Sequence, residues 1–284
     1  NRCATCSGIT VRLRPDFAKE KIFIVLPAYN AEKTLVRTLH EIPPEFHENI
    51  ILVDDASTDD TVKLAKSLGL QVVEHKKNLG YGGNQKTCYK TALEMGADIV
   101  VMVHPDHQYD ARIIPELICP IINGQADAVF GSRMLGGRPL ENGMPKYKYY
   151  ANILLTAVAN IIFKRYLTEI HSGFRAYSRK YLETIQFEKN SNDFVFDTEI
   201  IAQGMANNLF FQEVPIETRY FPEASSINFQ RSVIYGFGVL WELIKYELHI
   251  KNIKKNQNLV KNQVAISNKK IMPPISTNKS KQLK

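Results

Sequence analysis

Apolar and polar positions fall into regular blocks along the first half of the chain. Residues 22–26 form a short apolar run closed by Pro27, which predicts a buried strand. Residues 31–42 carry Leu35, Leu39 and Ile42 at helical spacing and stop at Pro43-Pro44. Residues 50–53 predict a second strand. Ser57-x-x-Asp60 reads as a capping-box start for a helix to Leu68, ended by Gly69. Residues 70–73 predict a third strand, and a glycine loop at 80–83 opens a helix to about Met95. Gly96 ends that helix. A fourth strand at 99–103, a helix at 111–122 and a strand at 128–130 follow.

Strand–helix alternation with short connections predicts an α/β fold, a mostly parallel sheet with helices on both faces. Ligands of such sheets sit beyond the C-terminal strand ends. That rule nominates four polar segments: 27–32, 54–59, 104–110 and 131–133. From 145 onward the pattern loosens, with helices predicted at 148–163, 194–206 and 229–249. Beyond 250 the chain is rich in Lys, Asn, Gln and Ser without apolar periodicity, which predicts disorder. The expected organisation is a lead-in at 1–20, one domain at 21–250 and a tail at 251–284.

Charge changes the picture of the partners. The 284 residues carry 36 Lys+Arg against 29 Asp+Glu, a formal net charge of +7. Nine of the lysines lie in 251–284, and no acidic residue follows Glu247. Without that tail the chain holds 27 basic and 29 acidic residues, so no basic domain footprint for nucleic acid is present. Cys3-x-x-Cys6 lacks a second ligand pair at zinc spacing. It reads as free thiols in a reducing compartment, with half of a zinc site as the alternative. No secretory signal is visible, and the apolar stretches 151–163 and 233–244 fall short of the ~18 residues of a membrane span. The expectation is a cytoplasmic body with room for a peripheral membrane contact.

Candidate chemistry sits in the nominated segments. Asp54 and Asp55 precede the presumed cap and can accept hydrogen bonds from a base and a ribose; an N-cap cluster is the bland alternative. Asn78-Leu79-Gly80-Tyr81-Gly82-Gly83 permits close backbone approach to a ligand, or simply a tight turn into a helix. It matches neither the dinucleotide fingerprint nor a P-loop. In His104-Pro105-Asp106-His107-Gln108-Tyr109-Asp110, Asp106 and Gln108 offer hard oxygen ligands suited to Mg²⁺ or Mn²⁺. His104-x-x-His107 alone has too few ligands for zinc.

These segments in this order, with Pro27-Ala28-Tyr29-Asn30-Ala31-Glu32 at their head, resemble family-2 glycosyltransferases of the GT-A fold over roughly residues 20–235. Gly131-Ser132-Arg133, Gly136-Gly137 and Ser172-Gly173-Phe174-Arg175-Ala176 are similar to the dolichyl- and polyprenyl-phosphate sugar synthase branch. The resemblance implies a nucleotide-sugar half at 21–133 and an acceptor half at 134–250. It implies an inverting enzyme that takes a sugar from a UDP- or GDP-linked donor, with Mg²⁺ or Mn²⁺ as cofactor and a polyprenyl phosphate as acceptor. Residue by residue, Pro27, Tyr29 and Glu32 would border base and ribose, and Asp55, with Asp54 beside it, would read the base edge. Gly80, Gly83 and Lys86 would flank the nucleotide, with His104 and Pro105 on the same side. Asp106 would ligate the metal with Gln108 assisting, and Arg133 and Arg175 would meet the acceptor phosphate.

The sequence departs from the family at His104, which stands first in the Asp-x-Asp pair; His171 likewise stands where the branch often has Asp. A neutral imidazole keeps a hydrogen bond there but not a carboxylate's charge. Three alternatives follow. The acceptor could be a saccharide hydroxyl, with Asp197 or Glu199 as base. The protein could be a nucleotide-sugar-binding scaffold that has lost catalysis. A nucleotidyltransferase is the enzymatic rival, disfavoured because no phosphate loop follows the first strand. Residues 219–226 read as a loop over the substrate. Residues 227–249 form an amphipathic helix that packs on the body or lies at a lipid interface, beside a Lys tail that attracts anionic lipid.

Overall fold

The structure is a computed structural model that describes residues 20–136, 138–221 and 229–262. Seven strands form one sheet: β1 (Ile22–Ala28), β2 (Ile50–Asp54), β3 (Gln71–Glu74), β4 (Ile99–Met102), β5 (Ala128–Ser132), β6 (Arg175–Ser178) and β7 (Phe211–Pro215). Their order is β3-β2-β1-β4-β6-β5-β7. Only β6 runs against its neighbours, β4 and β5. The expected mostly parallel α/β sheet is therefore the observed one.

The apolar strands are continuous because both faces are covered. In β1, Phe23 and Val25 enter one core while Ile22, Ile24 and Leu26 enter the other. The first core packs under α3 (Tyr81–Glu94), α5 (Lys146–Phe163), α6 (Arg179–Thr184), α7 (Phe196–Ala206) and α8 (Phe229–Ile250). The second packs under α1 (Leu35–Glu41), α2 (Thr61–Ser67) and α4 (Ile114–Ile122).

Three local expectations are corrected. The start of α2 is not capped by Ser57 or Asp60. Asp59 accepts from the Thr61 amide at 3.1 Å, and Ser57 instead donates its amide to Asp54 at 2.9 Å. Local carboxylates compete for the same orphan amides, and the one two residues before the helix reaches them. Strands β6 and β7 and helix α6 carried no periodic signal. They are short, and Arg175 in β6 is a fully buried charge inside a sheet. Finally, the segment after 250 does not leave the body at once. Leu259 is buried in the first core, Asn262 donates its amide to Thr184, and Gln186 donates to the Gln257 and Val260 carbonyls. Residues 1–19, with Cys3 and Cys6, and 263–284 lie outside the described residues.

Candidate active site

The ends of β1 and β2 are zipped together. Asn30 takes a left-handed conformation (φ 51°) and donates its amide to Ser57 Oγ at 2.8 Å, while its side chain accepts from the Thr58 amide. Glu32 accepts from the Asp60 amide, and Asp59 from the Glu32 amide. Pro27 lies buried within β1, opposite Val53, so it shapes the strand end from beneath. Tyr29 is more than half exposed beside it, an aromatic face open to a base.

Asp55 and the glycine loop turn out to serve each other. The buried Asp55 carboxylate accepts from the Leu79 amide at 2.7 Å and the Gly80 amide at 2.9 Å, with His75 Nδ1 at 2.8 Å. Its hydrogen-bonding capacity is largely spent on holding this loop. The buried Oδ1 of neighbouring Asp54 has no hydrogen-bond partner. Gly80 (φ 86°) and Gly82 do make room for a close approach, but by the chain itself. A Cβ at either would lie 2.7 Å from the Asn192 carbonyl oxygen or 2.5 Å from that of Ser191. A Cβ at Gly83 would meet Leu79 at 2.7 Å. Lys86 is spent in the same way, donating to the Asn190 carbonyl and the Asn192 side chain. The structure thus places Gly80, Gly83 and Lys86 at a junction between α3 and the approach to α7.

Beyond β4 the chain turns sharply. Asp106 accepts from the Gln108 amide at 3.1 Å across His107, whose φ is 59°. Asp106 and Gln108 consequently line the same cavity. Their side-chain oxygens fit a hard divalent cation, which typically takes one or two protein ligands and completes its shell with phosphate oxygens and water. Among the described residues no three His, Cys, Asp or Glu side chains cluster as a metal site. The His104 ring lies parallel to Tyr81, with centroids 5.5 Å apart, and burial lowers its pKa to about 4. It is a neutral group at pH 7. Pro105 accepts from the Thr34 hydroxyl at 2.6 Å through its carbonyl, tying this turn to the lead-in of α1.

The cavity, about 210 Å³, runs from Asp106 to α5 and α8. Antiparallel β6 accounts for its floor. Because β6 starts where its parallel neighbours end, residues 168–174 arrive at the same edge as the loops after β4 and β5. Of the two acidic residues in the first turn of α7, Asp197 lines the cavity and Glu199 does not. Asp197 accepts from Tyr81 Oη at 2.8 Å and Gln85 Nε2 at 3.3 Å, and Arg175 lies at 3.4 Å. Glu199 accepts from the Ser191 amide at 2.6 Å, and burial raises its pKa. It braces a loop and lies outside the cavity lining.

The two expected arginines also separate. Arg175 is completely buried and donates to the Ser172 and Ile170 carbonyls. It holds Asp197 from below and presents nothing to an acceptor. Arg133 does line the cavity, locked to Glu169 through several hydrogen bonds and to Tyr220 Oη at 3.2 Å. Burial works against the Arg133 charge, and Glu169 outweighs it, so its pKa is raised. Arg219 pairs with Glu41 at 2.8 Å, and residues 222–228 lie outside the described ones.

Sequence reasoning missed Lys148, Glu169 and the setting of His171. Lys148 lines the cavity, and its pKa is lowered by burial and by Arg133. His171 also lines it, with Nδ1 2.8 Å from Tyr235 Oη and a pKa lowered to about 3 by burial, Arg133 and Arg175. A lysine and a glutamate in an amphipathic, loop-rich stretch carry no signal of their own. The one available clue was the charge count: no acidic residue lies between Glu141 and Glu169.

With this geometry in place, comparison with known proteins is informative. Residues 23–186 match the family model described as Glycosyl transferase family 2. The chain is 30% identical over 250 residues to a UDP-N-acetylglucosamine–dolichyl-phosphate N-acetylglucosaminyltransferase of Methanococcus voltae, covering 81% of this chain and 98% of that one. It is 26% identical over 212 residues to a polyprenol monophosphomannose synthase of Mycolicibacterium smegmatis, covering 69% and 77%. Glucosyl-3-phosphoglycerate synthase of Mycobacterium tuberculosis, solved with Mn²⁺, UDP and phosphoglyceric acid, superposes with a TM-score of 0.61 at 21% identity, covering 81% and 79%. At that identity the superposition speaks for the fold alone.

Proposed function

The chain belongs to glycosyl transferase family 2, and from that premise we propose that it moves a sugar, with inversion, from a nucleoside-diphosphate sugar to a polyprenyl phosphate. The relatives named for dolichyl- and polyprenyl-phosphate acceptors support the acceptor class. The observation that carries it is the charge layout of the cavity. Its lining carboxylates are Asp106 at one end and Asp197, which is already held by Arg175, Tyr81 and Gln85. A carboxylate whose oxygens already accept from Tyr81 and Gln85 and face Arg175 is not free to take the proton of a hydroxyl acceptor. At the other end Lys148 and Arg133 face the same space. An acceptor that arrives as an anion needs cations to receive it and no base.

In this reading the donor lies across the ends of β1, β2 and β4, with Tyr29 stacked on the base and Asp54 and Asp55 beneath it. Asp106 and Gln108 would hold Mg²⁺ or Mn²⁺, which supplies charge neutralisation to the leaving diphosphate. His104 and His171, both neutral, offer hydrogen bonds to sugar hydroxyls without competing for the anions. Lys148 and Arg133 orient the acceptor phosphate for attack on the anomeric carbon; the phosphate–sugar bond forms as the sugar–diphosphate bond breaks. The finer placement, at the cytoplasmic face of a membrane, belongs to the same reading. Among the described residues no helix is long and apolar enough to cross a membrane.

Lys148→Met tests the acceptor end. The expected result is a KM for polyprenyl phosphate raised about tenfold or more, with the Kd for donor unchanged. Equal transfer to a free saccharide, with Lys148→Met silent, would replace this reading with the hydroxyl-acceptor one and return Asp197 to the role of base.

A further inference from the structure

Segment 218–221, which follows β7, runs beside the turn that carries Asp106 and Gln108. Thr218 pairs with Tyr109 in an antiparallel bridge, and the Arg219 amide donates to the Gln108 carbonyl at 2.9 Å. The side chains then alternate. Tyr220 lines the cavity, and its Oη accepts from Arg133. Arg219 and Phe221 do not line it and instead meet α1, where Arg37 and Glu41 lie one helical turn apart.

The outward contacts converge on His107. Arg219 Nη1 lies 2.8 Å from Glu41 Oε1, 3.0 Å from Glu41 Oε2 and 3.2 Å from His107 Nε2. A guanidinium only donates, so His107 Nε2 is the acceptor and the ring proton sits on Nδ1. That buried nitrogen has no hydrogen-bond partner and faces Glu41 Oε2 at 3.6 Å. Arg219 Nη2 lies 3.9 Å from Asp110, at the far end of the same turn. The Phe221 ring is 6.3 Å from the His107 ring, with the Arg37 guanidinium over its other side at 5.6 Å.

His107 needs such holding. Its φ of 59° lies in the left-handed region, which a residue with a side chain disfavours. Such a conformation persists where the surroundings over-determine it. Here it folds the turn so that Asp106 accepts from the Gln108 amide and both side chains reach the cavity. Glu41, His107 and Arg219 stand outside the cavity lining.

We propose that Glu41 and Arg219 are positioning residues. They clamp His107 in its left-handed conformation and so set the spacing at which Asp106 and Gln108 offer oxygens to Mg²⁺ or Mn²⁺. This rests on the metal reading of those two residues and deepens it: a carboxylate at the end of α1, remote from the ion, governs its affinity.

Mn²⁺ binding tests this without turnover. Full-length protein is titrated with Mn²⁺ in the presence of UDP and, separately, GDP, and free Mn²⁺ is measured by electron paramagnetic resonance. Glu41→Ala and Arg219→Ala should each weaken binding about tenfold, the cost typical of losing a group that orients a metal ligand. Arg219→Lys keeps a cation on Glu41 and should recover most of the loss. The sign separates a clamp from a field, because removing a nearby cation would by electrostatics alone tighten Mn²⁺ binding. Glycine enters the left-handed region freely, so in a His107→Gly background Glu41→Ala should change the affinity by less than about twofold. Tighter binding by Arg219→Ala overturns the proposal. So does lower thermal stability with unmoved Mn²⁺ affinity, which would leave the cluster a structural ion pair. Full additivity of Glu41→Ala with His107→Gly overturns it as well. Wild-type protein that takes up no Mn²⁺ with either nucleotide would instead strike the metal reading itself, and this proposal with it.

Discussion

The strand ends proposed to meet the donor and the region proposed to receive the acceptor, called here the donor half and the acceptor half, are built on opposite principles. Around β1, β2 and α3 the distinctive residues hold one another: Asp55 takes the Leu79 and Gly80 amides, Asn30 takes Thr58, and Glu32 takes Asp60. The result is a set of strand ends fixed by hydrogen bonds among their own residues. Around β6, α5 and α7 the site is held by buried ion pairs, Arg133 with Glu169 and Arg175 with Asp197. Charges there are fixed in place before any substrate arrives. Motif residues can therefore be architectural and unremarkable residues chemical.

This comparison is most exposed to substitutions that cut one half at a time. Glu169→Ala should have the largest effect on stability, about 3–5 kcal/mol by denaturant unfolding, because it strands the buried Arg133 charge. A loss under 1 kcal/mol would mean that the acceptor half is not built on its ion pairs. Asp106→Ala should lower kcat by about 10²–10³, equivalent to roughly 3–4 kcal/mol, with the fold intact by circular dichroism. Full activity in that variant would remove Asp106 from the proposed metal-binding role.

Gly82→Ala probes the junction where α3 meets the approach to α7. Its Cβ would sit 2.5 Å from the Ser191 carbonyl and 2.8 Å from Phe196 Cβ. We expect about 1–3 kcal/mol of destabilisation. If the glycines served the nucleotide instead, stability would be unchanged and donor affinity alone would fall.

The smallest effect is pH dependence. His104 and His171 titrate near 6.5 when unfolded and near 4 and 3 when folded. The unfolded chain binds more protons below pH 6.5, so stability falls as pH drops from 6.5 toward 4, by at most ~1.4 kcal/mol per pH unit for each histidine. Above pH 6.5 both are neutral in either state and contribute no slope. Urea midpoints at pH 7, 6 and 5 should show this trend, and His104→Gln with His171→Gln should flatten it.

What was legible in the sequence follows the same division. The strands β1, β2 and β4 are apolar runs legible in the sequence; α3 is legible from its bounding glycines and α8 from its apolar periodicity, while α5 and α7 lie where the pattern loosens. Strand β6 was missed because it opens on a buried Arg, and with it the reason why residues 168–174 reach the site. Asp106, Gln108, Asp197 and Arg133 were named from the sequence and meet in one cavity. Glu199, Arg175 and Lys86 were named with them and serve the fold, since two acids two positions apart on a helix point in different directions. Lys148 became visible only when α5 was laid against Arg133.

The central claim is transfer of a sugar to a lipid phosphate received by Lys148. Labelled nucleotide-sugar is supplied with Mg²⁺ or Mn²⁺ to vesicles containing polyprenyl phosphate, and label is partitioned between organic and aqueous phases. Label is expected in the organic phase for the wild type and about tenfold less, at subsaturating lipid phosphate, for Lys148→Met. Label that stays in the aqueous phase on a saccharide, equally in both proteins, would contradict it.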